Sequence, residues 1–100
     1  GPCIIGYGVT IGHMALLHAC IVEDYSFIGM RSLIMDMARV DSNAMVAAGA
    51  VVAPGKIVKY GEIWAGKPAK FLRKMSEDEM RYIKTSSTNY IKLAEEYFSK

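Results

Sequence analysis

Val22-Glu-Asp-Tyr-Ser-Phe-Ile28-Gly-Met-Arg-Ser-Leu-Ile34-Met-Asp-Met-Ala-Arg-Val40 decides the fold, because a large aliphatic side chain returns at every sixth position. Outward from this stretch the same step reaches back through Leu17, Ile11 and Ile5 and forward through Val46, Val52, Val58 and Trp64. It shortens once, to five, between Leu17 and Val22. Four residues after most of these positions stands something small: Ala15, Ser26, Ser32, Ala38, Ala44 and Ala50, with Val9 slightly larger. A period of six fits neither an amphipathic helix nor a simple alternating strand. In a β segment, alternate side chains share a face, so each small residue lies on the face of the large one two places on. The small side chain leaves room for a corner and the large one fills the middle. Three hexads close one triangular coil, and coils stack at the strand spacing of about 4.8 Å. Gly6, Gly12, Glu23, Gly29 and Asp41 directly follow the large residues. Gly and Asp or Asn at the corners tolerate left-handed backbone angles.

The bulk properties set limits. One hundred residues make one small domain, and a net charge of +2 argues for neither nucleic acid nor a membrane surface as partner. No run of eighteen apolar residues is present. Cys3 and Cys20 have no scaffold-like spacing and read as free thiols of a reducing compartment, a disulfide being the other reading. The cytoplasm or an organelle matrix fits.

The expected organisation is a hexapeptide-repeat β-helix over 1–68, a connector over 69–75 and a C-terminal helix over 76–98. The repeat is expected to fray after Pro54-Gly55. A solenoid with no cap over its first coil exposes apolar surface and strand edges. The repeat begins almost at Gly1, so the β-helix reads as N-terminally incomplete. Ser76-Glu-Asp-Glu79 reads as a capping box. The apolar residues Met80, Ile83, Tyr90, Ile91, Leu93, Ala94, Tyr97 and Phe98 then form a helical stripe. Ile83, Ile91 and Ala94 are expected to pack on the β-helix. Met14, Met30, Met35 and Met37 are expected to pack under that helix or at a subunit face.

His13 and His18 are the only histidines, five residues apart, and they flank the shortened step. Two imidazoles beside an irregular corner suit a transition metal. They also suit two solvated corner side chains.

The run Ile4-Ile-Gly-Tyr-Gly-Val-Thr-Ile-Gly-His-Met-Ala-Leu-Leu-His-Ala-Cys, then Ser26-Phe-Ile-Gly-Met, resembles the γ-class carbonic anhydrases and their close relatives. The likeness continues through Val46-Ala-Ala-Gly-Ala-Val-Val and Pro54-Gly-Lys to Gly66-Lys-Pro-Ala-Lys, the last shared with many hexapeptide acyltransferases. It implies a mainly β fold, a left-handed parallel β-helix with a C-terminal α-helix along it, assembled as a homotrimer with a metal at each subunit interface. It implies zinc, or another divalent metal such as iron or cobalt. His13 and His18 match two of three family ligands, the first donated to the neighbour's site. The third family histidine belongs to a coil that would precede Gly1. Tyr90 matches a helix tyrosine that approaches the metal pocket; it reads equally as a packing residue. The implied activity is hydration of carbon dioxide to bicarbonate by metal-bound water acidified to a pKa of about 7. Two other readings are a homologue without hydratase activity, serving as an assembly subunit or acting on thioesters, and an acyl-CoA-dependent acyltransferase with His13 or His18 as general base.

Overall fold

A computed structural model describes residues 1–85 of the chain. The hexads become twelve strands: β1 (Ile4–Ile5), β2 (Thr10–Ile11), β3 (Leu16–Leu17), β4 (Ile21–Val22), β5 (Phe27–Ile28), β6 (Leu33–Ile34), β7 (Arg39–Val40), β8 (Met45–Val46), β9 (Val51–Val52), β10 (Ile57–Val58), β11 (Glu62–Gly66) and β12 (Ala69–Lys74). Every third strand stacks in parallel, so three faces form: β1-β4-β7-β10, then β2-β5-β8-β11 with β12 at its edge, then β3-β6-β9. The chain is the parallel β-helix of hexapeptide repeats that the six-residue step predicts.

The second residue of each short strand points inward. Val22, Ile28, Ile34, Val40, Val46, Val52 and Val58 are fully buried in one continuous core with Ala38, Ala44 and Ala50. Burying each such aliphatic side chain is worth about 1.5–3 kcal/mol. Val58 shows that the repeat does not fray after Pro54-Gly55 but runs on through a tenth hexad. The small inward positions accept serine because its hydroxyl is satisfied locally. Ser26 Oγ donates to the Glu23 carbonyl at 2.8 Å and Ser32 Oγ to that of Gly29 at 2.5 Å. Cys20 completes this column of small residues ahead of Val22 and is only 2% exposed.

The corners are built on left-handed residues, Gly and Asn among them. Left-handed angles fall on the third residue after each large one, not on the first. They belong to Gly8, Met14, Tyr25, Arg31, Met37, Asn43, Gly49, Gly55 and Gly61, whose φ values lie between 56° and 75°. Gly29 directly follows Ile28 for a different reason, close approach. A Cβ there would sit 2.5 Å from the Ala48 backbone nitrogen on the next coil.

The five-residue step is a deletion at one corner. Ile4 pairs with Ile21, seventeen residues on, whereas Val22 pairs with Val40, eighteen on. Met37 N donates to Ala19 O, and Gly55 N donates to Asp36 O, in the same stacking relation. Ala19 therefore stands above Asp36, and the first coil has no counterpart of the left-handed Met37.

Residues 69–75, expected as a connector, carry β12, which turns back antiparallel on β11. Ala69 closes the end of the core. Beyond it, residues 77–85 are helical (α1). The expected capping box is present and reciprocal: Glu79 N donates to Ser76 Oγ at 3.1 Å, and Ser76 N donates to Glu79 Oε1 at 2.9 Å. The helix packs on the second face, where Ile83 and Met75 bury themselves with Ile63 against Phe27, Met45 and Met80. The methionines of this contact are thus Met45 and Met75, with Met80 from the helix itself, while Met14, Met30 and Met37 are exposed and Met35 is half-buried. Ile91 and Ala94 lie outside the described residues.

Candidate metal centre at two edges of the solenoid

His13 and His18 bracket β3. His13 stands between Gly12 and the left-handed Met14, at the corner that leads from β2 into β3. Its carbonyl accepts a hydrogen bond from Arg31 N at 2.9 Å, which ties that corner to the coil below. His18 opens the shortened corner beyond β3, and its backbone N donates to Ile34 O at 2.9 Å. Both side chains are exposed. The two imidazoles therefore occupy different vertical edges of the prism, at opposite ends of the third face. They do not converge within one chain, and no group of three His, Cys, Asp or Glu side chains comes together among the described residues.

Between the two edges lies the outer surface of the third face. Its outward residues are Leu16, Leu33 and Val51, an apolar column stacked coil upon coil. Leu16 is 56% exposed. The second face, by contrast, is covered by α1. Offsetting His13 and His18 by the same seventeen residues that separate β2 from β5 and β3 from β6 places Met30 beneath His13 and Met35 beneath His18. That offset is readable only once the five-residue step is seen as a deletion.

Cys20, in the column of small inward residues, faces the core and not the edge that carries His18. Burial first, and then the neighbouring Cys3 thiol, push its pKa up to about 11. It is no substitute ligand for the outward-facing histidines. Tyr90 lies outside the described residues.

In kind, the donors fit a divalent metal: two exposed imidazoles suit zinc, iron or cobalt. In number they need a partner, since a single chain offers one histidine at each edge.

Stacked hexads around a narrow aliphatic core define the class, the hexapeptide-repeat β-helix proteins. No family model matches the chain. It is 49% identical over 94 residues to "Gamma carbonic anhydrase 1, mitochondrial" of Arabidopsis thaliana, covering 94% of this chain and 34% of that one. To "Gamma carbonic anhydrase 2, mitochondrial" of the same plant it is 46% identical over 99 residues, covering 99% of this chain and 36% of that one. Among solved structures, a hexapeptide transferase family protein from Anaplasma phagocytophilum superposes with a TM-score of 0.90 at 50% identity, covering 95% of this chain and 57% of that one. The chain belongs to the γ-class carbonic anhydrase-like family of hexapeptide-repeat proteins. It spans about a third of the length of these curated relatives. Among the described residues, no helix is long and apolar enough to cross a membrane.

Proposed function

We propose that this chain forms part of a γ-type carbonic anhydrase-like homotrimer that binds a divalent metal at each subunit interface and hydrates carbon dioxide. The observation that carries the reading is the placement of His13 and His18 on two separate edges of one apolar face. A cyclic trimer that turns this face toward its axis brings the His13 edge of one subunit against the His18 edge of the next. Each interface then gathers one imidazole from each side. The carbonyl of His13 and the amide of His18 are both held by the second coil, so the imidazoles start from a fixed backbone. Met30 and Met35, one coil below, would give the interface an apolar floor suited to a small uncharged substrate. When bound there, zinc, iron or cobalt supplies a nucleophile from water at neutral pH. His13 and His18 hold and orient the ion; the cytoplasm or an organelle matrix is the expected compartment.

A catalytic zinc centre takes three protein ligands, and in a symmetric trimer each chain contributes each of its ligands once per site. Two histidines per chain give two per site, however they are shared. The 100-residue chain should therefore hold zinc weakly and lose it to a chelator. A longer protein, extended by an upstream coil that supplies a third histidine, should hold it stoichiometrically, and His13→Ala or His18→Ala should remove it. Elemental analysis after dialysis against chelator measures this. Stoichiometric zinc retained by the 100-residue chain would refute the ligand count. Retention by both histidine variants of the longer protein would refute the site.

The acyltransferase reading is favoured by one observation, the hexapeptide transferase name borne by a structure at 50% identity. A carbon dioxide hydration assay set beside an acyl-CoA turnover assay, on the longer protein, separates the two. Metal without hydration would leave the assembly-subunit reading.

A further inference from the structure

The interior of the β-helix carries a thiol pair that neither the fold nor the metal centre requires. Pairing of Ile4 with Ile21 and of Ile5 with Val22 sets Cys3 directly above Cys20, in the column of small inward residues that continues to Ala38. The local ladder confirms the stacking: Ile4 N donates to Cys20 O at 3.0 Å. Cys3 Sγ donates to the Leu17 carbonyl at 3.4 Å, so its thiol sits over the shortened corner that Cys20 closes. Parallel neighbours in a sheet stand about 4.8 Å apart, inside the Cα separation of 4.4–6.8 Å that a disulfide spans. Both cysteines are free, the upper one exposed and the lower one buried.

We propose that Cys3 and Cys20 form a reversible intrachain disulfide that staples the first coil to the second. The oxidant is a low-molecular-weight disulfide. The exposed Cys3 sulfur attacks it, forms a mixed disulfide and releases one thiol. Cys20 sulfur then attacks the Cys3 sulfur, forms the Cys3–Cys20 bond and releases the second thiol. Two protein S–H bonds and one S–S bond are exchanged for one S–S bond and two small-molecule S–H bonds, so electrons and protons balance.

Such a bond restrains local opening of the first coil relative to the second, so the order of the two edges that carry His13 and His18, on either side of β3, becomes dependent on thiol state.

The 100-residue chain is incubated with oxidised glutathione, and its products are mapped by non-reducing peptide mass spectrometry. The expected product is a Cys3–Cys20 linked peptide, two hydrogen masses lighter than the reduced pair and restored by dithiothreitol. Amide exchange should slow across residues 4–18 in the oxidised form and stay unchanged over β7–β9. Cys20→Ala places in the column the residue that already occupies it at Ala38, so the fold is kept. This variant should stop at a glutathione adduct on Cys3. A wild-type product carrying that same adduct, with Cys20 still a thiol, would overturn the proposal. So would a Cys3–Cys3 link between chains, or equal exchange in the two forms.

Discussion

Two glycines show how differently one residue type serves this backbone. Gly29 has no room: its Cβ would press on the backbone of Ala47 and Ala48, atoms fixed by the coil below. Gly49 has open space around it but a φ of 72°. Gly29→Ala should cost about 1–3 kcal/mol by overpacking. Gly49→Ala should cost about 1–2 kcal/mol by backbone conformation alone. Asn at position 49 should recover part of that loss, because Asn43 takes the same angle one hexad earlier. Asn at position 29 should recover nothing. Urea unfolding of the four variants tests the distinction, and equal behaviour of the two Asn variants would refute it. The left-handed corner position was only partly legible in the sequence: Gly8, Asn43, Gly49, Gly55 and Gly61 carry its usual residue signature, whereas Met14, Tyr25, Arg31 and Met37 adopt that conformation without it. The large inward residues were legible because their size and step are imposed by the core. The corner position is imposed by closure of the coil, which accepts nearly any side chain pointing to water.

Among the elements, the helix start was readable from Ser76 and Glu79, whereas β12 was not. Lys-Phe-Leu-Arg-Lys over 70–74 has no alternation of apolar and polar residues, since every residue of the strand after Ala69 is exposed. What holds β12 to α1 is an ion pair: Arg73 donates from both terminal nitrogens to the two oxygens of Glu79, each at 2.7 Å. Glu79 also accepts from Ser76 N. The Arg73 hydrogen bonds and then the Ser76 amide hold its carboxyl at a pKa of about 2, below the ordinary 4.5. A depressed folded pKa stabilises the folded state above the unfolded value and ceases to do so as the folded value is passed. The contribution of this pair should be complete above pH 4.5 and fade as pH falls toward 2. Because Glu79 is solvent-exposed, salt should weaken it throughout. Glu79→Gln should flatten that segment of the stability–pH curve, measured by urea unfolding at each pH. A variant curve parallel to the wild type would show that Glu79 is not the group responsible. Beneath the same element, Ile83→Ala should cost about 2–4 kcal/mol, because Ile83 is the buried centre of the helix–sheet cluster.

For the molecule as a whole, the repeat made the solenoid legible, but the candidate site is not a property of one chain. Its two histidines face away along different edges, and nothing in their spacing says that they meet residues of another copy. That step came from resemblance, and the outward apolar column of Leu16, Leu33 and Val51, exposed at Leu16 and half-buried below it, gives it a physical basis. Association through this face should yield a trimer in light scattering at micromolar concentration. Leu16→Glu places three like charges around the axis of such a trimer, where they cannot be hydrated or paired, and should shift the mass to that of a monomer. Circular dichroism should stay unchanged, since Leu16 points away from the core. Ile57→Glu is the matched control, because Ile57 is comparably exposed on the first face. It should leave the trimer intact. If metal binding depends on joining two edges, Leu16→Glu in the longer protein should also release zinc although both histidines remain. Ile57→Glu should not. Dissociation by both substitutions, or by Ile57→Glu alone, would move the interface to another face and would separate His13 from His18 as partners in one site.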